Sequence, residues 1–315
     1  MALRLTLSHL MRRKMGPSAS RIRDIPARCA RLRSSVMRCN SIMMRQTGLG
    51  ALLAGSLFTP VDAQSASAPA RPDRIVVEYV DPTNPAHAPL RDLLKANQAL
   101  ERVRDRLALV RWPRTLRLEL KGCDGEANAW YGDAIVTVCY EYLEDMWRSA
   151  NSSQRPAAIS REDAFLGPMM DVFLHEAGHA LFDILGIPLL GREEDAADQL
   201  AAYYMLQFPR EVRRGLVLGA AYNYASSMKV RSARDLSRRR LEVGRHITYA
   251  DEHGTPAQRL YNLLCIAYGS DKELFADIVD KGFLPEDRAE ICPDEYRQID
   301  HAYRALIAPH VDPGQ

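Results

Sequence analysis

The chain of 315 residues carries 42 lysines and arginines against 40 aspartates and glutamates, a formal net charge of +2 with histidine neutral. The basic residues are unevenly placed, because residues 1–63 hold 11 of them against Asp24 and Asp62, which leaves 31 basic and 38 acidic residues in 64–315. The net positive charge therefore comes from the N-terminal segment. It gives no reason to expect a nucleic-acid partner.

Residues 43–63 have the pattern of a secretory signal peptide. Arg45 precedes the apolar run of residues 48–58, and Val61-Asp62-Ala63 supplies a small-x-small cleavage site before Gln64. The apolar run is too short for a transmembrane helix. We therefore expect a periplasmic or secreted protein, with no stable membrane insertion after the signal is removed.

Residues 1–42 form a basic leader that fits a signal peptide less well. An arginine-rich, acid-poor stretch is typical of a transit peptide or a basic arm. A start codon assigned upstream of Met43 or Met44 is the simpler interpretation. Beyond the signal peptide, residues 64–73 are a flexible Ala/Ser/Pro tether. Residues 74–315 have the length of one domain, or of two tightly joined lobes.

Three segments near the start of this domain predict β-strands. Residues 74–80, 115–120 and 134–138 alternate apolar with polar side chains or are rich in β-branched residues. Residues 90–109 show helical periodicity, and from Glu141 onward the signals are nearly all helical. A small sheet followed by a predominantly helical region argues for the α+β fold class.

Four of the six cysteines belong to the chain that remains after cleavage. In an oxidising compartment four thiols suggest two disulfides, and three pairings are possible. We expect the pairing that is local in sequence, Cys123 with Cys139 and Cys265 with Cys292.

The most specific chemical pattern is His175-Glu176-Ala177-Gly178-His179, an HExxH motif. It lies in residues 169–185, which keep helical periodicity and are followed by Gly186 and Pro188 as stop signals. On a helix, His175 and His179 share one face and can hold one zinc ion. Glu176 is then placed to take a proton from the attacking water, whose pKa the metal lowers to about 7.

A catalytic zinc site needs a third protein ligand and one open position. Residues 192–206 predict a second helix with an acidic first turn, in which Glu194 and Asp198 share one face. Acidic residues at a helix N-terminus also compensate the helix dipole. Glu194 is the candidate ligand. Since a second carboxylate commonly holds the other ring nitrogen of a ligand histidine, Asp198 is the candidate for that role.

HExxH, a short linker and a second helix with Glu-x-x-x-Asp resemble the gluzincin metallopeptidases, the thermolysin-like clan. More narrowly, residues 75–293 resemble a bacterial family of metallopeptidases of unknown substrate. The resemblance implies His175, His179 and Glu194 as zinc ligands and Glu176 as base. It implies Asp198 as the carboxylate that orients a ligand histidine. The thermolysin-like pattern has Asn and Ser where this chain has Glu193 and Ala197. Its usual separation between HExxH and the ligand glutamate is also longer. These differences leave Asp195 open as the alternative metal ligand.

The resemblance also implies a zincin-like fold, in which a small mixed sheet covers the HExxH helix. Its edge strand can pair with an extended substrate by strand addition, and residues 134–138 are the candidate edge, with an ordinary hairpin strand as the alternative. In this clan a downstream histidine or tyrosine commonly donates a hydrogen bond to the oxyanion. His253 is the candidate here and Tyr261 the second choice.

The function that these features favour is a secreted zinc peptidase acting on a peptide or protein substrate, with Glu176 as general base. The alternatives are a non-proteolytic zinc-binding or assembly factor on a zincin scaffold, or a zinc hydrolase of a non-peptide amide. An intact Glu176 disfavours the first alternative, because metal binding alone does not require that carboxylate.

Overall fold

A computed structural model describes residues 74–238 and 251–312 of the chain. The predicted leader, signal peptide and tether lie outside the described residues. Within these ranges the fold is α+β, with a small mixed sheet and a mostly helical remainder, as the sequence predicts.

Among the described residues the sheet has four strands in the order β1-β2-β4-β3: β1 (Ile75–Tyr79), β2 (Leu116–Lys121), β3 (Ala129–Gly132) and β4 (Ile135–Cys139). β1, β2 and β4 run parallel, with Val77 beside Leu118 and Leu118 beside Val136. β3 is antiparallel to β4. The three predicted strands are present, and their inward leucines and valines are fully buried.

The prediction that residues 134–138 form the sheet edge is wrong. β4 lies between β2 and β3, so the edge on that side is β3, a strand that the sequence pattern did not indicate. β3 has only four residues, and the turn into β4 places Asp133 and Ala134 at φ 51° and 60°. Because an alanine rarely adopts such a conformation, the turn carries little sequence signal.

The helix predicted over residues 90–109 is two helices, α1 (Ala88–Ala96) and α2 (Ala99–Leu107). Gln98 has φ 53°, in the left-handed region, which breaks the helix between them. Asn97 closes the first helix, since its side-chain amide donates to the carbonyl of Leu93 at 2.7 Å. The two helices form the crossover that makes β1 and β2 parallel.

The remaining α-helices in the described ranges are α3 (Tyr140–Ala150), α4 (Arg161–Leu185), α5 (Glu193–Leu206), α6 (Arg210–Arg238), α7 (Pro256–Ser270), α8 (Ala276–Asp280) and α9 (Glu286–Leu306). α4 lies at the centre, against β3 and β4 on one side and α5 and α6 on the other. It begins earlier than predicted because Ser160 caps its N-terminus, accepting from the Asp163 amide at 2.9 Å. It ends where predicted, at Gly186, whose φ of 63° suits glycine.

Two disulfides have the predicted pairing. Cys123–Cys139 joins the segment after β2 to the end of β4, and Cys265–Cys292 joins α7 to α9. None of the helices in the described ranges is both long and apolar enough to span a membrane.

Candidate functional site

The predicted metal ligands meet between α4 and α5. His175 and His179 are one turn apart on α4, while Glu194 lies in the first turn of α5. The two helices approach closely because Gly178 faces Ala197: a Cβ atom added at Gly178 would lie 3.3 Å from the Cα atom of Ala197. This close contact brings the first turn of α5 beside both histidines.

The ring nitrogens and one carboxylate oxygen converge on one point. The Nε2 atoms of His175 and His179 are 3.2 Å apart. Oε2 of Glu194 lies 3.0 Å from the first of these nitrogens and 3.5 Å from the second. One donor atom from each residue lies within 4.8 Å of the others, so a single ion could contact all three.

The chemistry of this cluster fits a metal ion. Oε2 of Glu194 is buried and has no well-aligned hydrogen bond among the described residues, although it faces imidazole nitrogens. Burial opposes ionisation of this carboxyl, but the facing histidines hold the pKa of Glu194 well below its usual range. Two neutral imidazoles and an ionised carboxylate are a donor set that zinc prefers.

The other ring nitrogen of each histidine is held by a carboxylate. Nδ1 of His175 lies 2.8 Å from Asp198, and Nδ1 of His179 lies 2.8 Å from Oε1 of Glu193. With Nδ1 engaged in this way, Nε2 of each ring is directed toward the cluster. Burial lowers the pKa of His175, but the Asp198 and Glu194 carboxylates outweigh it and raise that pKa to about 9.

Glu193 is a residue of the site that sequence reasoning missed. The sequence shows it only as a departure from the thermolysin-like pattern at the position before the ligand, whereas in the structure it contacts His179. The available signal was its place in the acidic first turn of α5, but which neighbouring carboxylate meets which histidine depends on how α5 is rotated against α4. That rotation is set by tertiary packing and not by residue spacing.

Glu176, the predicted base, is buried beside this cluster. Only 6% of its surface is exposed. Burial raises the pKa of its carboxyl, while His175 and His179 work in the opposite direction. A carboxylate whose proton affinity is increased by burial is suited to accepting a proton and passing it on.

His253 is brought to the cluster, and the two less-favoured candidates are not. Its Nε2 atom lies 2.8 Å from Oε2 of Glu194, and its ring stacks on that of His175 with centroids 5.8 Å apart. Asp195 is paired instead with Arg192, at 2.9 Å from its Nε atom. Tyr261 is an exposed residue of α7.

A second group with metal-ligand residues, Cys123, Cys139 and Glu141, does not compete with this one. Its two sulfur atoms are bonded to each other, so neither is available as a thiolate ligand. Glu141 accepts instead from the backbone amides of Cys123 and Gly125. Among the described residues the histidine cluster is therefore the better candidate.

Comparison with known protein families also points to a metal-dependent protein. The family model described as "Putative metallopeptidase" matches residues 79–307. No curated protein and no solved structure matches the chain. Because the family match covers most of the chain and includes every residue of the cluster, the protein belongs to this metallopeptidase family.

Proposed function

We propose that the protein is a secreted zinc-dependent peptidase of the gluzincin type, with His175, His179 and Glu194 as zinc ligands. The observation that carries the proposal is the convergence of two Nε2 atoms and one carboxylate oxygen, with both Nδ1 atoms held from behind by carboxylates. Family membership supports a metal-dependent hydrolase.

Zinc bound at such a site lowers the pKa of the attacking water and polarises the scissile carbonyl. Glu176 is the proposed general base, because it lies one residue from a ligand and its buried carboxyl has a raised pKa. Having accepted the proton of water, the same carboxyl can pass it to the leaving amine. His253 is the proposed donor to the oxyanion, since its Nε2 atom already lies beside the cluster.

The edge strand β3 is the proposed place for the backbone of an extended substrate. β3 packs against the HExxH helix, where Tyr131 donates a hydrogen bond to Asp183 at 2.5 Å. In the described part of the sheet no strand pairs with its outer edge. A peptide added there would gain backbone hydrogen bonds. Contacts between its side chains and the neighbouring surface would determine specificity.

The two disulfides support the proposed periplasmic or secreted location, because such bonds persist in oxidising compartments. The signal peptide on which this proposal also rests remains a prediction from residues 43–63.

The direct test of catalysis compares wild type with Glu176→Gln. The substitution keeps the shape of the side chain and both histidines, so zinc should stay bound while hydrolysis falls by several orders of magnitude. Exported protein is loaded with zinc to equal content and incubated with a diverse peptide library, and new termini are identified by mass spectrometry.

Glu162→Gln is the matched control, since Glu162 is on the same helix in its first turn, far from the cluster. It should cleave like wild type. Cleavage by Glu176→Gln at the wild-type rate would exclude Glu176 as the base. A fully zinc-loaded wild type that cleaves no peptide would contradict the peptidase assignment and favour a non-proteolytic zinc protein.

A further inference from the structure

Behind the ligand histidine lies a chain of buried charges that extends to a third helix. Asp198, which holds Nδ1 of His175, also accepts two hydrogen bonds from Arg259 of α7, one from Nε at 2.8 Å and one from Nη2. Both side chains are mostly buried, with 18% of Asp198 and 20% of Arg259 exposed. A guanidinium bound through two nitrogens fixes the plane of the carboxylate as well as its position.

Arg259 is in turn fixed from its other side. Its guanidinium carbon lies 4.9 Å from the centroid of the Tyr224 ring on α6. The Tyr224 hydroxyl donates to Asp171 at 2.6 Å, and Asp171 is buried on α4 one turn before His175. The chain of contacts therefore returns to the HExxH helix and links α4, α5, α6 and α7.

The charges of this group depend on one another. Asp171 and Asp198 are two carboxylates near the buried Arg259 guanidinium. Burial raises the pKa of both carboxyls and the charge of Arg259 opposes it: the pKa of Asp171 stays above its usual value, whereas His175 and Arg259 together hold that of Asp198 below it. Without Arg259, Asp198 would face a buried acid with no cationic partner on that side, and the hydrogen bond that orients His175 would lose its rigid support.

We propose that Arg259 is a positioning residue of the metal centre: it fixes Asp198, and through Asp198 it sets the orientation of His175 and the affinity of the site for metal. This inference rests on the proposed metal site but concerns a residue that touches neither metal nor substrate. Contacts behind a ligand typically change metal affinity or activity about 10- to 100-fold when removed.

The test measures zinc affinity by competition with a chromophoric chelator, and the visible spectrum of the cobalt-substituted protein, using the full chain in exported form. Arg259→Gln should weaken zinc binding about 10-fold and shift the cobalt bands, because the His175 ring is no longer held in one orientation. Arg259→Lys should give an intermediate loss, since an ammonium keeps the charge but not the two-nitrogen fork.

Arg214→Gln is the matched control. Arg214 makes a comparable part-buried pair with Asp277, with two contacts of 2.9 Å, between α6 and α8 and away from the histidine cluster. Its loss should lower the melting temperature without changing zinc affinity or the cobalt spectrum. The comparison separates a specific effect on the metal from general destabilisation.

A double-mutant cycle tests whether Arg259 acts through Asp198. In an Asp198→Ala background, Arg259→Gln should change zinc affinity by less than about 2-fold, because the intermediate side chain is gone. Unchanged zinc affinity and cobalt spectra in both Arg259 variants would overturn the proposal, and so would a full effect that persists in the Asp198→Ala background. A wild type that binds no zinc would instead overturn the metal site itself.

Discussion

Oε2 of Glu194 faces the Nε2 atoms of three histidines, at 2.8 Å from His253, 3.0 Å from His175 and 3.5 Å from His179. One carboxylate oxygen cannot align with three such donors at once, and a cation among these atoms would satisfy them better than protons do. The surroundings of this single atom therefore favour the proposed metal site over an ordinary network of buried ion pairs.

The third ligand can be identified by comparing Glu194→Ala with Asp195→Ala. Removing Glu194 should abolish tight zinc binding and activity together, because it takes away a donor atom. Asp195→Ala should change zinc affinity little, since Asp195 pairs with Arg192 and does not belong to the group of converging donor atoms. Isothermal titration with zinc gives both affinities.

Asp198→Ala serves as the intermediate case in that series. It should weaken zinc affinity about 10- to 100-fold and leave a measurable site. If Asp195→Ala were the variant that loses zinc, the ligand set would be two histidines and an aspartate, and the gluzincin assignment would fail.

The sequence was sufficient for the residues whose placement follows from helix geometry alone. His175 and His179 share a face because they are four apart on one helix, and the same is true of Glu194 and Asp198. Contacts between helices could be predicted from the sequence only in part. The contact between His179 and Glu193 depends on the rotation of α5, and the partner of Asp198 is Arg259, 61 residues further along the chain on α7.

At the scale of the elements, the site depends on how closely α4 and α5 can approach. Gly178, inside the HExxH motif, faces Ala197, one residue before Asp198. Small side chains at both positions let Glu194 reach the histidines of the neighbouring helix. This contact gives a structural reason for a small residue at position 197.

Enlarging Gly178 should therefore separate the ligands. In Gly178→Val the added carbons would enter space occupied by α5, at a cost of about 1–3 kcal/mol in unfolding free energy. Zinc affinity should fall further than this instability explains, because Glu194 is displaced from His175 and His179. Gly178→Ala should give a smaller effect in the same direction.

Chemical denaturation and zinc titration measure the two effects separately. Gly132→Val on β3 is the control for a glycine-to-valine change, since no atom lies within 4 Å of a Cβ atom added there. It should leave zinc affinity unchanged. Full zinc affinity in Gly178→Val would mean that the helix contact does not position Glu194.

Of the strands in the sheet, β3 could not be predicted from the sequence pattern. β1, β2 and β4 have residues that alternate or are β-branched, and each was expected. β3 reads Ala-Trp-Tyr-Gly, too short for a period to be recognised, and it enters β4 through Asp133 and Ala134 with positive φ. Without β3, β4 would be the edge of the sheet.

Across the described chain, one disulfide lies in the sheet and the other in the helical region. Cys123–Cys139 lies at the end of the sheet, whereas Cys265–Cys292 holds α7, the helix of Arg259, against α9. Both pairings followed from sequence proximity and an expected oxidising compartment. The described residues therefore agree with the exported state that the N-terminal sequence predicts.

Thiol titration of the exported protein under denaturing conditions should find no free cysteine, because the proposed cleavage after residue 63 would remove Cys29 and Cys39 and the other four are paired. Reduction should lower the melting temperature, since each bridge typically contributes about 2–4 kcal/mol. Four reactive thiols in protein recovered from the periplasm would contradict both the pairing and the compartment.

The metal content of the purified protein tests whether His175, His179 and Glu194 bind one metal ion. After reconstitution with zinc at neutral pH and removal of the excess, wild type should carry close to one zinc per chain. His175→Ala and His179→Ala should lose it, whereas His301→Ala, an exposed histidine of α9, should keep it. Wild-type protein without zinc, or zinc retained when His175 and His179 are both replaced, would mean that these residues do not form the metal site.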